Sequence, residues 1–479
     1  MPSPTIYWYD FETFGADPRR DRACQFAGIR TDEDLNIIGE PLVMYCRVAD
    51  DFLPNPFACL VTGITPQKAN ANGIPEAEFI KKINQEFSVA QTCVAGYNSI
   101  RFDDEITRQL LYRNFFDPYE REWKNGNSRW DIIDMLRLCA ATRPEGIEWP
   151  RKENGSVSFK LDQLTVANGI EHSDAHDALA DVIATIEMAK LVKTEQPKLY
   201  DFVYRLKNKS QVQAEIDLVT QKPILHVSMR YPASQGCMAL VMPICNHPSN
   251  KNGIVVYDLR EDPSVWNKLS VAEIKERVYT AKDKLPAGAT RIPLKTLHIN
   301  RCPIVTSPAV LQAEQAAQFQ VDLESCRTHW EQLQGNNEIK QKVSAVFGDE
   351  TFPAETDPDL MIYSGGFFSE GDRDLMGIVR DTNPADLGRL DLPFRDRRLP
   401  EMLFRYRARN YCETLNSNER ENWQAYRKEK ILASEAIARY EKDMEKAWQK
   451  VNEESSDRGQ VVLNELQEYT DELIQSLME

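Results

Sequence analysis

The stretch Tyr7-Trp8-Tyr9-Asp10-Phe11-Glu12-Thr13-Phe14-Gly15 decides how this chain is read. Its apolar, aromatic run predicts a buried β-strand, ended by Gly15 and the Asp17-Pro18 pair. Two carboxylates interrupt the run, Asp10 and Glu12. Side chains two apart on a strand point to the same face, so the two acids are neighbours. Two like charges on a core strand repel each other and lose solvation, and something cationic must compensate them. Mg²⁺ or Mn²⁺, hard ions that take oxygen ligands, would do so. An edge strand whose acids face water is the alternative for this stretch taken alone.

Outward from this strand, residues 1–196 predict an α/β unit. Strand-like runs follow at Gln25–Thr31 and Pro41–Val48, and Glu76–Ala90 has helical spacing through Phe79, Ile80, Ile83 and Phe87. The apolar run from Thr92 ends in Gly96-Tyr97-Asn98, and Asp103 stands at the start of a helix reaching about Asn114. Acids there also complement a helix N-terminus, so capping competes with a functional role for Asp103. A last helix runs from the segment His172-Ser173-Asp174-Ala175-His176-Asp177 through Lys193. Asp181 shares a face of it with Ala178, Thr185 and Met188, a packed rather than a solvated mixture. His176 precedes Asp181 by five residues, at the loop-to-helix junction.

Asp-x-Glu-Thr on the first strand, Asn-x-x-x-Phe-Asp at a helix start and His-x-x-x-x-Asp late in the unit resemble the three motifs of the DEDD exonuclease superfamily, histidine branch. The longer runs Asp-Phe-Glu-Thr-Phe-Gly, Gly-Tyr-Asn-Ser-Ile-Arg-Phe-Asp-Asp-Glu, Asn-Ser-Arg-Trp-Asp and Gly-Ile-Glu-His-Ser-Asp-Ala-His-Asp-Ala are similar to bacterial exonuclease I, the single-strand-specific 3′→5′ exodeoxyribonucleases. The resemblance implies hydrolysis of single-stranded DNA by two divalent ions, Mg²⁺ or Mn²⁺. Asp10, Glu12 and Asp181 are the expected ligands, with Asp103 completing the site directly or through water. It makes His176 the general base; an unperturbed histidine accepts a proton at neutral pH. His172 is the competing histidine, at a spacing that does not match the motif. Asp104, Glu105, Asp174 and Asp177 read as surface or capping acids.

The resemblance also implies a ribonuclease H-like exonuclease domain with a mixed sheet over 1–196, an SH3-like β-barrel domain with inserted helices over 197–350 and a helical C-terminal domain over 351–479. Short β-like runs at Pro223–Met229, Cys237–Pro243, Gly253–Leu259 and Thr296–Ile299 suit the middle part, and Asp349–Pro358 is the clearest boundary. A chain of 479 residues exceeds one usual core. Its 10 Cys form no CxxC pair and its 6 His no zinc-like cluster, which suits reduced thiols in a cytoplasmic protein. No membrane-length apolar run or signal peptide is expected.

The net charge of −16 argues against non-specific duplex binding. By segment it is about −10 over 1–196, +4 over 197–340 and −10 over 341–479, so the middle is the electropositive part. Exonuclease I–like enzymes recruit single-stranded-DNA-binding protein through its acidic tail, and this segment offers it basic residues; a monomer is expected otherwise. Between the second and third motifs, cations alternate with rings, an arrangement that holds single strands by stacking and phosphate contacts. Arg108, Tyr119, Trp123 and Lys160 are the expected DNA contacts, the last because Ser158-Phe159-Lys160-Leu161 resembles the family's basic substrate contact before the final helix. The Arg395–Arg409 stretch either lines a groove that closes on the strand, giving processivity, or forms ion pairs with nearby acids. A catalytically dead exonuclease fold used as a docking module is the rival of another class, and the intact acids argue against it.

Overall fold

The computed structural model describes residues 3–172, 177–266, 268–348 and 355–479. They divide into two compact units. The first comprises residues 1–128, 173–183 and 354–479, and the second 129–172 and 184–353.

In the first unit the strands β1 (Thr5–Thr13), β2 (Ala23–Thr31), β3 (Leu42–Cys46), β4 (Gly73–Ile74) and β5 (Thr92–Gly96) build a mixed sheet in the order β4-β3-β2-β1-β5. Its last strand, β6 (Ser128–Asp131), carries the chain out of the unit. β1 is antiparallel to β2 and parallel to β5. The alternation expected of β1 is present: Tyr7, Tyr9 and Phe11 enter one core with Phe26, Phe79, Phe87, Ile106 and Leu110. The Tyr9 and Phe87 rings meet edge-on at 5.0 Å, and those of Phe11 and Phe26 form a tilted pair at 5.0 Å. Burying such a side chain contributes roughly 1.5–3 kcal/mol. Asp10 and Glu12 are thereby committed to the opposite face.

The helices α1 (Pro56–Thr62), α2 (Pro66–Asn72), α3 (Glu76–Phe87) and α4 (Asp103–Arg113) surround this sheet, and α7 begins within the unit. Numbering follows the chain, with α5 (Ile133–Thr142), α6 (Leu161–Ala167) and α7 (Ala178–Glu195). The C-terminal helices belong to the same unit. Ser434–Glu454 and Asp457–Met478 pack Tyr440, Met444, Ala447, Val451, Val462 and Leu463 against Phe14, Cys24, Cys59, Ile64 and Ala69. Glu370–Asp381 and Arg398–Asn410 bring Met376, Val379, Leu399 and Met402 onto Tyr112 and Phe115.

The second unit contains β7 (Ile224–Val227), β8 (Met238–Asn246), β9 (Gly253–Asp258), β10 (Leu294–His298) and β11 (Ile304–Thr306), antiparallel in the order β10-β9-β8-β7-β11. All four expected runs in this region are strands. Pro243 cannot donate to a ladder, and the register shifts beside it, between Pro243 and Cys245. The helices expected within this domain are present, Val271–Tyr279 and three between Ala313 and Gly348. The expected boundary at 349–358 lies partly outside the described residues. The ten cysteines are free thiols, nine of them buried and Cys412 exposed.

Candidate active site

β1 outruns its parallel neighbour. Its pairing with β5 stops at Trp8 opposite Ala95, while the antiparallel ladder continues through Asp10 opposite Ala27 and Glu12 opposite Gln25. The end of β1 is therefore open on the β5 side, where the chain turns through Asn98 into α4. Asp103, at the first position of α4, uses the opening: its Oδ1 accepts the Phe11 backbone N–H at 3.2 Å. Asp103 is thus neither a solvated acid nor only a cap.

Asp181, one turn into α7, comes to the same place. One carboxylate oxygen from each of Asp10, Glu12 and Asp181 lies within 4.8 Å of the others. Glu12 is buried, and Asp10 and Asp181 are half-buried. Burial pushes the Asp10 carboxyl well above the usual carboxylate range, and the charges of Asp103, Glu12 and Asp181 raise it further. Burial, then Asp181 and Asp103, push Glu12 up to about 8. Each named neighbour is an acid, so the cluster is unstable as a set of anions unless a cation joins it. Oxygen donors converging from a strand and a helix fit a hard divalent ion. The donor set and its electrostatics agree on a metal centre.

What aims α7 at this centre was not legible in the sequence. Gln25, opposite Glu12 on the neighbouring strand, donates its Nε2 to Asp177 Oδ2 at 3.3 Å. Asp177 also accepts the N–H of Leu179 at 3.1 Å and of Ala180 at 3.4 Å. It caps the helix, as expected of it, and in addition ties the helix start to the sheet. Only the β1–β2 register identifies Gln25, and a single strand does not reveal its register.

The remaining expected residues are placed as follows. His176 and Asp174 lie outside the described residues. His172 Nδ1 is 3.1 Å from Thr165 Oγ1. Lys160 is exposed and immediately precedes α6. Trp123 is 65% exposed. Arg108 is buried, with Nε and Nη2 donated to the two carboxylate oxygens of Glu122 at 2.8 and 3.0 Å and its guanidinium 5.4 Å from the half-buried Tyr119 ring. Among the other rings of this segment, Tyr112, Phe115 and Trp130 are core residues.

One expectation needs correction, and one alternative is decided. Asp104 is no surface acid. It is buried, accepts the Tyr9 hydroxyl at 2.9 Å and pairs with buried Arg121 at 2.5 Å. Of the two readings of the Arg395–Arg409 stretch, ion pairing holds at Arg405, Arg407 and Arg409. Arg405 pairs with Glu401, Asp357 and Asp359, Arg407 with Glu419, and Arg409 with Asp51 and Asp359. Buried guanidinium groups are held where carboxylates satisfy them, so these three are internal struts. Arg398 is likewise buried against Asp396, whereas Arg395 and Arg397 are exposed.

Comparison with known proteins agrees with this geometry. Three family models match in succession: "Exonuclease" over residues 7–189, "Exonuclease I SH3-like domain" over 207–349 and "Exonuclease I C-terminal domain" over 356–473. Exodeoxyribonuclease I of Escherichia coli (strain K12) is 44% identical, over 98% of this chain and 98% of its own. The chain belongs to the exodeoxyribonuclease I family. The exodeoxyribonuclease I of Haemophilus influenzae is 42% identical over 97% of this chain and 98% of its own. Among solved structures, E. coli exonuclease I in complex with a dA16 oligonucleotide superposes with a TM-score of 0.95 at 43% identity, covering 98% of this chain and all of that one. The zinc-bound E. coli complex with single-stranded DNA gives 0.94 at 44% identity, covering 99% of this chain and all of that one. The sheet and its helices are the family's ribonuclease H-like exonuclease fold, the antiparallel sheet its SH3-like domain, and the remainder its helical C-terminal domain. The enzyme is a nuclease, and its acidic cluster suits a divalent metal.

Proposed function

We propose that this enzyme hydrolyses single-stranded DNA from the 3′ end with Mg²⁺ as the working ion, Mn²⁺ substituting, two ions per site, and releases 5′-mononucleotides processively in DNA repair and recombination. The observation that carries the reading is the convergence of Asp10, Glu12 and Asp181 within 4.8 Å, in a setting where burial and neighbouring acids raise the carboxyls of Asp10 and Glu12. The oligonucleotide-bound relatives support the substrate.

In this reading Asp10, Glu12 and Asp181 hold the ions and Asp103 closes the set. Bound divalent ions supply Lewis-acid stabilisation of the charge that develops on the scissile phosphate. His176 takes the proton of the attacking water. Glu12 also borders the terminal nucleotide, and Lys160, Arg108, Tyr119 and Trp123 serve the strand. Of these, Trp123 and Lys160 present free surface for stacking and phosphate contact, while Arg108 acts through the ring of Tyr119 that it supports. The three family matches support a division at 1–196, 197–350 and 351–479. The enzyme works as a cytoplasmic monomer; among the described residues no helix is long and apolar enough to cross a membrane. The electropositive segment 197–340 receives the acidic tail of single-stranded-DNA-binding protein.

The test is digestion of matched DNA and RNA oligomers, labelled at either end, with Mg²⁺, Mn²⁺ or chelator present. A ladder shortening from the 3′ end of DNA, abolished by chelator, is expected. Cleavage that persists in chelator, or that starts at the 5′ end, would overturn the proposal.

A further inference from the structure

Helix α4 must place Asp103 against the backbone of β1, yet no side chain caps its N-terminus. Three acids in its first turn, Asp103, Asp104 and Glu105, complement the helix dipole but do not fix direction. Direction comes from the buried side of that turn. Asp104 Oδ1 accepts the Tyr9 hydroxyl at 2.9 Å and Arg121 Nη2 at 2.5 Å. Tyr9 precedes Asp10 on β1 and points to the opposite face, where its ring packs on Phe87. Arg121 belongs to the short turn Glu120–Glu122, and its guanidinium lies 5.1 Å from the same Phe87 ring with Nε and Nη1 unpartnered. The turn grips α4 a second time, one helical turn later, through Arg108 and Glu122.

A buried ion pair offers little net stability over apolar packing, because desolvation offsets its attraction; what it enforces is geometry. Here that geometry joins the strand carrying Asp10 and Glu12 to the helix carrying Asp103. We infer that Tyr9, Asp104 and Arg121 form a positioning unit that fixes the first turn of α4 and so aims the Asp103 carboxylate at the metal centre. The inference rests on the proposed part of Asp103 in holding the ions. None of the three is a catalytic residue, since each acts through Asp103.

The experiment is Mn²⁺ titration of the full-length protein without DNA, followed by calorimetry and by the Mn²⁺ spin-resonance signal. Wild type is compared with Tyr9→Phe, Asp104→Asn, Asp103→Asn and the Tyr9→Phe/Asp103→Asn pair, each first checked for a cooperative melt. Tyr9→Phe keeps the ring and removes only the hydroxyl, so it decides the outcome where Asp104→Asn fails to fold. Partners that orient metal ligands are typically worth 10–100-fold in metal affinity. Tyr9→Phe is expected to weaken Mn²⁺ binding about tenfold, and to add nothing once Asp103 is Asn. A merely structural role would lower the melting temperature and leave the affinity of the folded protein unchanged. That result with a weakened Asp103→Asn would overturn the inference alone. Wild-type affinity in Asp103→Asn would remove the ligand assignment itself, and the inference with it.

Discussion

Arg409 and Asp51, 358 residues apart in sequence, have buried side chains that lie 2.9 Å from each other, Nη2 to Oδ2. Asp51 also accepts Lys430 at 2.7 Å, and Arg409 also donates to Asp359 at 2.7 Å. This network locks the C-terminal helices onto the loop after β3. Removing one partner of a buried pair strands the other charge at a cost of about 3–5 kcal/mol. Arg409→Met is therefore expected to lose stability on that scale in urea denaturation. Arg389→Ala, whose pair with Asp386 is exposed, should change it by less than about 1 kcal/mol. A processivity defect in Arg409→Met without loss of stability would restore the groove reading.

The acid limb of stability should carry the signature of Glu76. The charges of Arg113 and Arg22, with hydrogen bonds from Arg113 and Asn114, outweigh its burial and hold its carboxyl down at about 2. A depressed folded pKa stabilises above the unfolded value, near 4.5, and that contribution fades as pH falls toward 2. The stability difference between wild type and Glu76→Gln should accordingly be level above pH 5. It should shrink by about 3 kcal/mol on acidification, at roughly 1.4 kcal/mol per pKa unit. A pH-independent difference would contradict this assignment.

Metal binding at the acidic cluster should release protons. Without a cation Glu12 titrates near 8, so at neutral pH it is largely protonated, whereas a ligand must be ionised. Affinity for Mn²⁺ is expected to climb with pH through the neutral range as Glu12 ionises. Calorimetry in buffers of different ionisation enthalpy reads the proton count directly, and Glu12→Gln should lower it.

Asp10→Asn, Glu12→Gln and Asp181→Asn should each abolish hydrolysis while leaving oligonucleotide binding in chelator intact. His176→Ala should slow cleavage by roughly 10²–10⁴-fold, the usual contribution of a positioned base. His172→Ala, whose partner is Thr165, should cost little. Equal impairment of the two histidine variants in single-turnover assays would remove His176 from the mechanism.

Among the proposed DNA contacts, Trp123 and Arg108 should separate cleanly. Trp123 is exposed, and its replacement by Ala is expected to weaken oligonucleotide binding by about 1–3 kcal/mol with an unchanged melt. Arg108→Ala leaves Glu122 without its bidentate partner and should be destabilising first. Anisotropy with a labelled oligomer, set beside thermal melts, distinguishes the two effects.

Sequence alone was enough for everything that follows from local periodicity. A strand's two-residue repeat places Asp10 and Glu12 on one face and Tyr7, Tyr9 and Phe11 on the other, whatever the strand packs against. A helical repeat places Asp181 among small residues on a packed face. Periodicity names a face and never a partner. Asp103 and Asp104 are adjacent acids at one helix start, and only the folded chain sends one to the Phe11 backbone of β1 and the other to Tyr9 and Arg121. Gln25 became part of the site through the β1–β2 register. Arg405, Arg407 and Arg409 read equally well as a DNA-facing stripe or as struts. Acids up to 358 residues away decided for struts, because a buried guanidinium is stable only where long-range closure of the chain supplies its counter-charge.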